Sequence, residues 1–190
     1  MNFTELLDEV FIWTKRPDLD AASRSAIRRN TLKYHRREKW FKDLAATTLL
    51  NPDPSSPTAI IPITIPRFRQ FASIRISGFS KPLSPMVVDD LLDKDGYARS
   101  DIFLIAGTNL NIKWGAGFPS IDVVYYQDPI AVEAGYDSWI ANEYPDLIAC
   151  AAAAEVLAFD NESEIYKAAK MTEVEQYHIL LSNNLEVEAR

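Results

Sequence analysis

DIFLIAGTNLNIKW, residues 101–114, followed by IDVVYYQDP at 121–129, is the stretch that decides the fold. Ile102–Ala106 and Leu110–Trp114 are short apolar runs. Gly107-Thr108-Asn109 between them suits the left-handed backbone of a tight turn, so the spacing predicts a β-hairpin. Ile121, Val123 and Tyr125 then alternate with Asp122, Val124 and Tyr126, the period of a strand with one buried face. They are expected to add a third strand to an antiparallel meander.

Downstream the period becomes helical. Pro145 and Asp146 suit a first turn, and Leu147, Ile148, Ala151, Ala154 and Ala158 make one small-residue face. Asn161 with Glu164 is expected to cap a further helix with a buried stripe of Tyr166, Ala169, Val174, Tyr177 and Leu181. The short FDNES connection implies an antiparallel helical hairpin. Asn183-Asn184 reads as a helix stop, beyond which Leu185 and Val187 alternate as in a short extended arm, mobile in the free protein.

Upstream, Met86–Asp93 reads as a short helix, and Ala72, Ile74 and Ile76 as a half-buried strand stopped by Gly78. Ala59–Ile65 is interrupted by Pro62 and Pro66, which confine it to an edge strand or an extended arm, and residues 51–57 (NPDPSSP) form a loop. Before residue 44 two helices are expected. Asn2 and Glu5 form a capping box for the first, and Arg16-Pro17-Asp18 breaks it. Asp18 or Asp20 caps the second, whose narrow stripe is Leu19, Ala22, Ala26, Ile27 and Tyr34. The expected class is α+β: a helical bundle from residues 1–50 and 131–190, with an antiparallel β-meander inserted at 51–130.

Composition bounds the chemistry. With 190 residues, 47% hydrophobic and 25% charged, the chain reads as soluble and fits one ordinary domain or a domain carrying a sizeable insertion. Residues 1–14 lack the basic leader of a signal peptide, and no run is long enough to span a bilayer. Cys150 is the single cysteine, and His35 and His178 lie in different helices, so metal-ligand spacing is missing. Gly115-Ala116-Gly117 leads into another strand and not a helix, unlike a phosphate loop. Asp89-Asp90 and Glu173/Glu175 are acidic pairs without an aromatic cleft.

The net charge of −7 hides an asymmetry. Lys15–Lys42 carries ten basic and three acidic residues, whereas Asp128–Arg190 carries thirteen acidic and three basic ones. Opposite signs on two segments suit a basic-to-acidic contact between neighbouring copies, with Arg28, Arg29, Arg36 and Arg37 as its candidates. A basic segment ending in Trp40-Phe41 also admits contact with a phosphate backbone.

Three stretches carry a family likeness. NFTELLDEVFIWTKRPDLDAASRSAIRRN, IPITIPRFRQFASIRISGFSKPLSPMVVDDLL and WIANEYPDLIACAAAAEVLAF, the last with Trp139, Tyr144-Pro145-Asp146-Leu147 and a small-residue helix, keep the order and spacing of the head-to-tail adaptor, or head-completion, proteins of tailed bacteriophages. Tyr97–Asp101 and Lys33–Lys42 depart from that pattern. The resemblance implies a structural virion protein and not an enzyme. It would form a homo-oligomeric ring, usually dodecameric, at the head-tail junction after assembly in the host cytoplasm. Its implied partners are the portal protein, a tail or nozzle protein and, non-specifically, passing DNA, with no membrane and no cofactor. C-terminal segments of that family order against the portal, which makes Leu185 and Val187 candidate contacts. The competing readings are a nucleic-acid-binding module and a small peptidoglycan hydrolase.

Overall fold

A computed structural model describes residues 1–86, 100–158 and 163–188. The fold is α+β with sheets antiparallel but for one short parallel pair at Ser84–Pro85, and the chain divides into two compact units, Met1–Asp43 with Asp128–Arg190, and Leu44–Gln127. The predicted helix at Met86–Asp93 lies outside the described residues, Met86 excepted.

The first unit begins with α1 (Phe3–Thr14). The Asn2 side chain accepts from the Glu5 N–H at 2.9 Å and the Glu5 carboxylate accepts from the Asn2 N–H at 2.8 Å, the expected capping box. Phe3, Leu6, Leu7 and Val10 are buried. Lys15 ends the helix in the left-handed conformation, and a 3-10 turn over Pro17–Leu19 leads directly into α2 (Asp20–Arg37). Neither aspartate caps α2. Leu19 occupies the cap, because Asp18 already belongs to the 3-10 turn and Asp20 to the helix, and their carboxylates hold Arg16 and Arg24 instead.

After the second unit come α3 (Trp139–Glu143), α4 (Pro145–Val156) and α5 (Glu164–Glu188). Every residue of α4 from Leu147 to Ala154 is buried, and α1, α2, α3 and α5 all pack against it. The single face read from sequence is too narrow, and Ala158 is exposed; a helix apolar all round needs neighbours on all sides. Alanines let those neighbours approach closely. Ser163 caps α5, accepting from the Tyr166 N–H at 3.2 Å, while Asn161 lies outside the described residues. Along α5, Val174 is exposed, and Glu173 and Leu180 are buried with Ala169 and Tyr177.

α5 does not stop at Asn183-Asn184 but continues to Glu188, so Leu185 and Val187 are helical and not an extended arm. Asparagine costs well under about 1 kcal/mol in a helix, and with no glycine or proline nearby nothing terminates it. Asn183 serves as a tether, its Nδ2 donating to the Tyr144 hydroxyl at 2.9 Å.

The second unit holds β1 (Leu44–Leu50), β2 (Thr58–Pro62), β3 (Phe68–Ile76), β4 (Ser84–Pro85), β5 (Asp101–Ala106), β6 (Asn109–Trp114) and β7 (Ser120–Gln127). They form two sheets, ordered β1-β7-β3 and β2-β6-β5-β4. β5 and β6 make the predicted hairpin. Ala106 faces Asn109 across Gly107 and Thr108, and Gly107 takes φ 61°.

The third strand departs from expectation. β7 does not extend the hairpin into a meander, because β2 already occupies the free side of β6, with Ala59 opposite Ile112. The connection Gly115–Pro119 carries the chain to the other sheet. Phe118 is buried there, and Gly117 runs so close to the Pro54 carbonyl that a Cβ would lie 2.5 Å from its oxygen. β1, grouped with the helices in the sequence reading, pairs with β7 along its whole length. LAATTLL is a short apolar run whose periodicity does not separate helix from strand. The inner faces of both sheets share one core of Ala59, Ile61, Ile74, Ile76, Leu110, Ile112, Ile121, Val123 and Tyr125. A register shift between Phe71 and Ser73 leaves Ala72 exposed, out of phase with Ile74 and Ile76.

Candidate assembly interface

Four basic side chains of α2, and Lys42 in the turn beyond it, find acidic partners inside the same chain. Arg24 meets Glu133 at 2.6 Å, Arg29 meets Glu155 at 2.6 Å, and Lys33 meets Glu173 at 3.1 Å. Arg36 grips Asp128 through two guanidinium nitrogens, and Lys42 meets Glu143 at 2.5 Å. The segments of opposite sign therefore form a seam within the first unit. The charge asymmetry has an intramolecular use and does not by itself call for a contact between copies.

The four candidate arginines are exposed on the α2 surface, each with a local role. Arg28 lies over the Phe3 ring at 5.9 Å and Arg37 over the Tyr177 ring at 4.0 Å, while Arg29 and Arg36 belong to the seam. The Asp128 hydrogen bonds hold the Arg36 guanidinium above its ordinary pKa. Exposed pairs of this kind contribute about 0–1 kcal/mol each, so an incoming carboxylate or phosphate can exchange with them at little cost. Leu185 and Val187 lie at the far end of α5, apart in sequence from the arginine cluster.

Beneath this surface α2 carries a polar buried face that apolar periodicity does not reveal: Ser23, Asn30, Thr31 and His35. Asn30 Nδ2 donates to the Ala26 carbonyl at 3.0 Å and to Glu155 at 2.7 Å. The Thr31 hydroxyl donates to the Ile27 carbonyl at 2.8 Å and meets the Tyr136 hydroxyl at 2.8 Å. His35, 1% exposed, bonds Asp43 through Nδ1 at 2.8 Å and Ser138 through Nε2 at 2.9 Å. Trp139 Nε1 donates to the same Asp43 oxygen at 2.7 Å, and Ser138 Oγ accepts from the Ala141 N–H at 3.1 Å.

Serine, histidine and aspartate in this sequence of bonds have the connectivity of a nucleophile relay. Here it is a pin. Ser138 is buried and its oxygen already caps α3. The network ties the end of α2 and the 3-10 turn at Phe41–Asp43 to the start of α3.

Glu173 is the second buried polar centre. It accepts from the Tyr34 hydroxyl, from Lys170 at 2.7 Å and from Lys33 at 3.1 Å. Burial alone would raise its carboxyl, but the bonds from Lys170 and Tyr34 and the charge of Lys33 outweigh that and hold it below 4.5. A carboxylate with a depressed folded pKa stabilises the fold fully above its unfolded value and loses that contribution as pH falls through the folded one. The melting-temperature gap between the natural chain and Glu173→Gln should therefore be constant near neutrality and close as pH drops below 4.5. Melts at pH 3 to 7 measure it, and a gap independent of pH would remove Glu173 from the linkage. Glu175 points elsewhere and is exposed, so the two glutamates form no acidic pair, and Asp89-Asp90 lies outside the described residues.

Cys150 is buried in α4 and burial pushes its thiol up to about 12, the condition of an inert cysteine. Among the described residues no group of three or more His, Cys, Asp or Glu side chains could hold a metal ion, and no helix is long and apolar enough to cross a membrane. No protein-family model matches the chain, and no curated protein is significantly similar to it.

Proposed function

We propose that this chain is a structural virion protein, the adaptor that forms a ring between portal and tail of a tailed bacteriophage, completes the head and offers the platform for tail attachment. The observation that carries the reading is the combined order of Trp139, Tyr144-Pro145-Asp146-Leu147 and the alanine run of α4, with helices from both chain ends packed on that run. In this reading those helices are one bundle, and Leu44–Gln127 is the insertion that reaches tail components. Polar groups buried in the first unit tie elements together, as suits a protein that acts by holding a shape. The exposed α2 arginines are its contacts to neighbouring subunits or portal, Arg29 and Arg36 through exchange of their seam pairs, and the C-terminal turn of α5 is the segment that docks as a helix end.

Co-expression with the portal protein of its phage, followed by electron cryomicroscopy, tests the proposal. A closed ring of about twelve copies seated on the portal is the expected result. Particles that retain DNA and attach tails without the protein would overturn it. Salt-sensitive retention of free DNA without ring formation would point to the nucleic-acid reading, and clearing of a peptidoglycan zymogram to the hydrolase.

A further inference from the structure

A strand at a sheet edge presents unpaired N–H and C=O groups that can template another strand, and natural edges usually carry obstacles. Among the described residues of the second unit, three of the four edges do. β3 has register shifts at Phe68/Gln70 and Phe71/Ser73, and the Pro82–Leu83 segment runs beside it, Leu83 N–H donating to the Ile74 carbonyl at 2.7 Å. β2 is bounded by Pro57 and Pro62, and β4 is two residues long and includes Pro85.

β1 has none of these devices. LAATTLL contains no proline, glycine or charge, and its register with β7 runs unbroken from Leu44 opposite Tyr126 to Leu50 opposite Ser120. Ala46, Thr47 and Thr48 are exposed, Leu50 is 77% exposed, and among the described residues no strand lies beyond β1. The Asn51 N–H donates to the Pro119 carbonyl at 2.9 Å, which sets the parity of the ladder. Ala45, Thr47 and Leu49 turn their backbone groups toward β7, so those of Leu44, Ala46, Thr48 and Leu50 face away from the sheet.

We propose that β1 is the docking edge for the β1 of a second copy of this chain, paired antiparallel about a two-fold axis through Thr47. In that register all seven residues pair. Ala46 exchanges both backbone bonds with the partner's Thr48, and Leu44 does so with the partner's Leu50, covering the exposed leucine. Thr47 meets its own counterpart. The partner is a second copy for two reasons. The other three edges formed by the described residues are obstructed, so among the described residues β1 is the one edge this unit can offer in return. The strand is also uncharged, so self-pairing opposes no like charges. Such a contact is isologous and closes at two, without running on into a fibre. It does not rest on the adaptor reading: a two-fold pair is not the repeating contact of a ring, so it belongs to the free protein.

Light scattering on the purified full chain over a range of concentrations, together with three variants, tests this. The natural chain should be a dimer. Ala46→Pro, which removes an outward N–H, and Thr47→Lys, which places a charge against itself, should each weaken dimerisation at least tenfold while far-ultraviolet circular dichroism stays unchanged. Should Ala46→Pro unfold, Thr47→Lys alone decides. Thr47→Cys should cross-link between copies under mild oxidation, because an antiparallel pair that exchanges no hydrogen bonds brings its Cα atoms to about 4.5 Å, within disulfide reach. Buried Cys150 does not compete, and Ile60→Cys on the obstructed β2 edge should remain uncrosslinked. A monomer at every concentration, a dimer indifferent to Thr47→Lys, or equal cross-linking at positions 47 and 60 would each overturn the proposal, the first leaving the edge to a strand from another protein.

Discussion

Replacing His35 with leucine should destabilise the first unit by about 2–4 kcal/mol, among the larger single-residue effects available in this chain. Leucine fills much of the imidazole volume, so the loss reports hydrogen bonds and not a cavity. It takes one donor from the Asp43 carboxylate, which is buried and keeps the Trp139 indole as a partner, and it takes the imidazole nitrogen from Ser138. A carboxylate left short of donors in a low-dielectric interior bears a desolvation cost that water cannot relieve. The ring also sits edge-on to Trp139 at 5.7 Å, and Trp139 likewise to Trp40 at 5.9 Å, so aromatic packing loosens with it. For a chain of this length the midpoint should fall by roughly 10 °C in calorimetry. Asp43→Asn, which keeps an acceptor oxygen, should cost less. A His35→Leu midpoint within a degree of the natural chain would show that the network does not hold the unit together.

Ala153→Leu should cost about 1–3 kcal/mol, read as a lower urea midpoint at unchanged slope. Ala153 is wholly buried on a helix enclosed by four others, so three added carbon atoms have no void to enter. Two companions give the scale. Ala151 lines a groove of about 430 Å³ with Arg29, Asn30, Lys33 and Lys170, so leucine there has room to lean outward and should cost less. Ala158 is exposed and leucine there should be nearly neutral. Equal costs at 151, 153 and 158 would mean that α4 is not the enclosed element.

These positions show how far the sequence could be read. The capping box at Asn2 and Glu5, the hairpin around Gly107 and the edge position of β2 follow from local chemistry, and local chemistry is what a sequence displays. α2 was legible as a helix but not in its buried face. Half of that face is polar, and its partners Tyr136, Ser138 and Glu155 lie more than a hundred positions away, so neither hydrophobic counting nor motif spacing could pair them. The charge asymmetry is visible in the sequence, but whether it is satisfied within a copy or between copies depends on how the chain after Asp128 folds back on α2, which composition does not encode. The alternation of β7 marks it as a strand but not its neighbours β1 and β3, because side-chain alternation reports a buried face and says nothing about which strand lies beside it. At the end of α5 two asparagines without glycine or proline are a weak stop, and the helix runs through them to Glu188.

The enclosed position of α4 also has a consequence for how the protein is made. The ribosome delivers residues in order, and α1 and α2 emerge first, but the element that covers their apolar faces follows only after Leu44–Gln127 has been synthesised. At roughly 5–20 residues per second the N-terminal helices wait on the order of ten seconds for their partner. Leu44–Gln127 is continuous in sequence and carries its own core, so it can close on the nascent chain meanwhile. The helices that follow Gln127 thus complete those that precede Leu44.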